Sequence, residues 1–116
     1  MSGAGPEQPQ FELGLPRFDT SLLDPVDPFE LDDGNVPHLA KHEGCDSELL
    51  YSMWASDCRF LPAAHGPADW FLVADLGGEV YFAPVMPSSY SGHRKCRPIG
   101  LRRAPQMIID SYLEAL

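Results

Sequence analysis

Positive charge is scarce in this chain: 8 Lys and Arg stand against 17 Asp and Glu, giving a formal net charge of -9. Nucleic-acid binding depends on cations that neutralise phosphates, so the whole-chain average argues against a polyanionic partner. Cysteine is sparse too. Cys45, Cys58 and Cys96 are odd in number and lack CxxC spacing, which argues against a disulfide framework or a cysteine zinc site and fits reduced, structural thiols. No run of about eighteen apolar residues exists, as a membrane span would need. Met1-Ser2-Gly3-Ala4-Gly5 has neither a basic region nor an apolar core, so a secretory signal is not expected and a cytoplasmic location is. A Gly-x-Ser-x-Gly elbow and a phosphate-cradling Gly-rich loop are both missing, which removes serine-hydrolase and nucleotide-binding readings. At 116 residues there is room for one small domain and not two.

The charge is segregated. Residues 1–33 carry eight acids against one base, 34–88 seven against two, and 89–116 two against five. The last quarter of the chain is therefore locally basic, and the average hides it. Residues 1–28 hold Pro6, Pro9, Pro16, Pro25 and Pro28 among dispersed acids, with no helical periodicity. Burial there hardly offsets ordering entropy, so a flexible acidic arm is expected. Its Phe11, Leu13, Leu15, Phe18, Leu22 and Leu23 exceed what a solvating tail needs, and docking on the domain or on a partner is the alternative.

From residue 29 the pattern is that of a folded domain. Phe29-Glu30-Leu31-Asp32 alternates as a short strand, and Asp33-Gly34-Asn35 supplies turn and N-cap chemistry for a helix with Pro37 in its first turn. That helix is expected to run through Lys41 and His42 to a stop at Gly44. A second helix over about 46–56 gathers Leu49, Leu50, Met53 and Trp54 on one face. Strands follow at 58–61, 70–74 and 79–83, with Gly77-Gly78 as a tight hairpin turn. Pro84 and Pro87 mark an edge or bulge. Ser88 to Gly92 makes a loop, Lys95 to Leu101 a last strand, and Pro105 opens a C-terminal helix. The expected fold is α+β: an antiparallel sheet of three to four strands plus a short N-terminal strand, two helices before it and one after.

Phe29 to Gly44, with its short strand ending in Asp, its Asn-containing helix and its Lys-His-Gly stop, resembles the opening of BrnT-type toxins. Trp70 to Ala83 is similar to the central hairpin of that family. Arg97-Pro98-Ile99-Gly100-Leu101-Arg102-Arg103-Ala104 resembles its Arg-x-Ile-Ser-Ala-Arg-Arg-Ala strand, and Tyr112 with Glu114 stands where its last helix carries Tyr and Glu. The resemblance covers residues 29–115. It implies a RelE-like fold, ribonuclease activity that blocks translation, and neutralisation by a small DNA-binding antitoxin in a hetero-oligomer. Gly100-Leu101 replaces Ser-Ala, Glu43 is inserted before Gly44, and Gln106, Ile109 and Asp110 stand where relatives carry arginines.

RNA cleavage without a metal needs a base for the 2′-hydroxyl, cations for the phosphorane charge and an acid for the leaving oxygen. Arg97 and Arg102 are the expected phosphate contacts, since guanidinium forks match phosphate, with Arg94, Lys95 and Arg103 in support. Five residues apart on a regular strand they point to opposite faces, so the Pro98–Gly100 region must bulge before both meet one phosphate. A basic edge guarding the sheet rim is the plainer reading. His42 and His93 are the candidates for proton transfer and Lys41 for charge stabilisation, although His42 and Lys41 also suit the negative end of a helix. Tyr81 and Tyr112 are expected to stack a base or donate to phosphate, unless they are core residues. His38 and His42 share a helix face at i, i+4 but lack the Glu of a zincin helix, so neither metal nor cofactor is expected. A second function class stays open: a catalytically silent relative, a binding or regulatory module whose acidic arm covers the basic strand.

Overall fold

The computed structural model describes residues 17–64, 66–88 and 94–116. In chain order these form a 3-10 turn at Thr20–Leu22, helices α1 (Val36–Leu39) and α2 (Ser47–Trp54), and strands β1 (Arg59–Pro62), β2 (Trp70–Leu76), β3 (Glu79–Pro87), β4 (Cys96–Pro98) and β5 (Arg102–Arg103). Helix α3 (Gln106–Ala115) follows. The fold is α+β. Its antiparallel sheet runs β1-β2-β3-β4, with β5 also paired to β3. Among the described residues no helix is long and apolar enough to cross a membrane.

Side chains alternate across a strand, so β2 and β3 each serve two cores. Leu72, Ala74, Ala83 and Val85 face the main core with Leu50 and Met53 of α2, joined by Phe29, Leu39, Cys45, Cys96 and Leu101. Val73 and Phe82 point the other way and pack with Tyr112 of α3, flanked by Leu61, Phe71, Val80 and Ile108. Asp46 starts α2 by accepting the Leu49 N–H on Oδ1 at 2.9 Å. The β2–β3 hairpin closes through Gly77 and Gly78 at φ of 68° and 95°, the left-handed region that a residue without Cβ enters freely.

Four expectations are corrected. The strand expected at 29–32 is a single parallel bridge, Phe29 with Cys96. A side chain replaces the ladder there: Asn35 Oδ1 accepts the Asp32 N–H, and Nδ2 donates to the carbonyls of Glu30 and Pro98, each at 2.9 Å. The first helix ends at Leu39 and closes in a tighter turn, where the Lys41 N–H bonds the His38 carbonyl three residues back at 3.3 Å; Lys41 and His42 lie beyond it. The last strand is broken in two. Arg97 pairs with Met86 and Pro98 with Val85, whereas Arg102 pairs with Phe82 and Arg103 with Tyr81, so one extra residue is accommodated between Pro98 and Arg102. Finally, from Arg17 onward the expected arm belongs to the domain: Phe18, Leu23, Pro28 and Phe29 are buried. Arg17 Nε donates to the Asp69 carbonyl at 2.8 Å, and Trp70 Nε1 donates to that of Phe18 at 3.0 Å. Residues 1–16 of the arm lie outside the described residues, as does most of the 88–92 loop.

Candidate functional site

Two groups of charged side chains flank the broken strand. The first is a seam where residues 24–32 run beside 94–98. The Asp24 N–H donates to the Arg94 carbonyl, the Cys96 N–H to Pro28 and the Glu30 N–H to Cys96, each at 2.8 Å. This backbone register brings acids over bases. Lys95 Nζ sits 3.1 Å from Asp27 Oδ2, and Arg97 Nη1 lies 3.1 Å from Glu30 Oε2 and 2.8 Å from Asp32 Oδ2. The Arg97 guanidinium, with help from the Gly34 N–H, holds the Asp32 carboxyl at about 2, below its ordinary 3.8. Tyr51 donates to Asp27, and burial, with that carboxylate in support, drives the phenol's pKa upward. The fit is close at Gly34: a Cβ there would stand 2.9 Å from Arg97 Nη2.

The second group lies on the other side of the break. His38, Lys41, His42 and Arg102 line one cleft of about 190 Å3, floored by Pro84, Ile99, Gly100 and Leu101. An adjoining cleft of about 280 Å3 is lined by His42, Glu43, Cys45, Arg102 and Arg103. All five basic side chains are exposed. Their convergence comes from local chemistry. Ending α1 at Leu39 drops Lys41 and His42 into the turn before buried Cys45, whose N–H bonds the His42 carbonyl at 3.0 Å. Burial of Leu101 in the main core then carries Arg102 past the break to the same edge. Arg102 Cζ stands 4.8 Å from the Phe82 ring centroid, which sets the height of its guanidinium over the sheet.

The expected site residues thus divide. Lys41, His42, Arg102 and Arg103 come together, with Arg103 also paired to Glu79 at 3.1 Å and Tyr81 donating to the same carboxylate at 2.8 Å. Arg97 does not join them. The extra residue does put it on the same sheet face as Arg102, since their partners Met86 and Phe82 are four apart on β3. That spacing is about 13 Å along a strand, too far for one phosphate when Arg97 is turned to Glu30 and Asp32. Lys95 is spent on Asp27, and exposed Arg94 lies at the seam. Tyr112 is corrected to a core residue: it is 3% exposed and donates to the Asp57 carbonyl at 2.8 Å. His93 lies outside the described residues. His38, considered from sequence only as half of a metal pair, lines the cationic cleft; its i, i+4 spacing to His42 was the available signal. Among the described residues no three His, Cys, Asp or Glu side chains gather as a metal site. The roles of Glu30, Asp32 and Asn35 escaped sequence reasoning, although two acids at i, i+2 on one strand face call for a cation opposite.

No family model, curated protein or solved structure matches the chain.

Proposed function

We propose that this protein is a metal-independent endoribonuclease, the toxin component of a toxin–antitoxin pair with a BrnT-type, RelE-like fold, acting on cytoplasmic RNA. The observation that carries the reading is the gathering of Lys41, His42 and Arg102 on one exposed cleft from positions some sixty residues apart. In this reading Arg102 and Lys41 hold the scissile phosphate and neutralise the phosphorane. His42 takes the proton from the 2′-hydroxyl, whose oxygen attacks phosphorus, and His38 gives a proton to the departing 5′-oxygen. The products are a 2′,3′-cyclic phosphate and a 5′-hydroxyl end. Arg97 serves the fold. A small DNA-binding antitoxin that covers the cleft would neutralise the activity by excluding RNA.

A second reading, a catalytically silent binding module, is favoured by one observation: Asp27, Glu30 and Asp32 already neutralise Lys95 and Arg97, two of the five cations of the basic segment. Controlled expression in a bacterial host separates the two. The ribonuclease reading predicts growth arrest with wild type and growth with Arg102→Ala or His42→Ala at equal protein level. Normal growth under well-expressed, folded wild type contradicts it and supports the silent module.

A further inference from the structure

Beside the cationic cleft lies an apolar one that the chemistry above does not use. It has a volume of about 380 Å3, and its walls include Pro67, Phe71, Phe82, Ile99 and Ile108, with Arg102 as its one charged residue among the described residues. The volume falls at the low end of small-ligand pockets. Pro84, Ile99 and Arg102 line both clefts, so the two lie side by side with Arg102 at their shared boundary. Phe71 and Phe82 meet edge to face at 5.4 Å, and the Arg102 guanidinium stands over Phe82.

We infer that the apolar cleft is a nucleobase subsite, which takes one unpaired base next to the phosphate held by Lys41 and Arg102. The inference rests on the RNA reading above. Single-stranded RNA joins an anion to a flat apolar ring in every repeating unit, and aromatic or guanidinium planes receive such rings. The two clefts offer that pair of surfaces side by side. A peptide laid along the same clefts as an added strand would need backbone hydrogen bonds. The rim opposes that: Pro67 and Pro84 have no N–H, and the Ile99 N–H is already given to the Pro84 carbonyl at 2.9 Å.

The test uses the full chain and a 2′-O-methylated RNA octamer, which binds but cannot be cleaved, with an abasic site moved along it one position at a time. Fluorescence anisotropy reads affinity. The subsite predicts that one abasic position weakens wild-type binding roughly tenfold while the others have little effect. In Ile108→Ala and in Phe71→Leu, checked for folding by circular dichroism, that loss shrinks below about threefold while affinity for the abasic octamer is kept. Equal binding of intact and all abasic octamers, still abolished by Arg102→Ala, overturns the subsite and leaves the phosphate site standing. Binding of none of the octamers overturns both. Loss of a peptide or protein contact through Ile108→Ala, with RNA affinity unmoved, assigns the cleft to a protein partner and also overturns the proposal.

Discussion

Arg97 and Asp32 meet as a two-armed ion pair, Nη1 2.8 Å from Oδ2 and Nη2 3.0 Å from Oδ1. The pair ties the acidic segment after Pro28 to β4, and it accounts for why the most conspicuous arginine of the basic strand is absent from the cationic cleft. Because its carboxyl is held at about 2 against an ordinary 3.8, Asp32 favours the folded state when ionised. Its contribution is complete above about pH 4 and is lost as pH falls toward 2. The melting temperature of wild type is expected to exceed that of Asp32→Asn at pH 5, with the gap closing by pH 2; a gap constant across that range contradicts the pairing.

Asn35 is the hydrogen-bonding hub of the same seam, 2% exposed and bonded to Asp32, Glu30 and Pro98. Replacing it by Ala strands one N–H and two carbonyls, at a cost of about 2–4 kcal/mol. Asn35→Asp is expected to cost at least as much, because a second oxygen would face the Glu30 and Pro98 carbonyls in place of their donor. Urea unfolding measures both, and a loss under about 0.5 kcal/mol for Asn35→Ala would contradict the role.

Local interactions show in the sequence of this chain, and distant ones do not. The hairpin at Gly77-Gly78, helix α2 and the C-terminal helix after Pro105 rest on local periodicity and turn chemistry, and they stand where the sequence put them. The break between β4 and β5 was signalled by Pro98 and Gly100, but its size depends on the distant register with β3. Asn35 stands at the N-cap of α1 as its residue type suggests, but its side chain makes no cap bond there; beside nearby Asp32 it holds Glu30 and Pro98, the latter 63 residues away. The same limit governs the site. Lys41, His42 and Arg102 were nameable by residue type, whereas the diversion of Arg97 depended on a segment whose apolar residues Phe18, Leu23 and Phe29 found the core.

Tyr112 gives a prediction that separates packing from RNA contact. Tyr112→Phe removes the bond to the Asp57 carbonyl and is expected to cost about 1 kcal/mol of stability with RNA affinity unchanged. A drop in affinity with stability intact would return this residue to the RNA surface.

Cys96 is fully buried at the seam, and burial pushes its thiol up to about 12. In native protein at pH 8 it is expected to resist a thiol-titrating disulfide reagent, while all three cysteines react in guanidinium. Fast native reaction at Cys96, located by mass spectrometry, would contradict the packing of residues 28–30 over β4.

We propose that Arg102, which lines the cationic cleft, holds the scissile phosphate, and that Arg97, paired with Glu30 and Asp32, does not. Cleavage of a single-stranded RNA by the purified protein, read together with the melting temperature, separates the two arginines. Arg102→Ala is expected to reduce the cleavage rate at least a hundredfold with little change in melting temperature. Arg97→Ala is expected to lower the melting temperature while the fraction that remains folded cleaves at nearly the wild-type rate. A folded Arg97→Ala that has lost cleavage, beside an Arg102→Ala that retains it, would return the phosphate to Arg97.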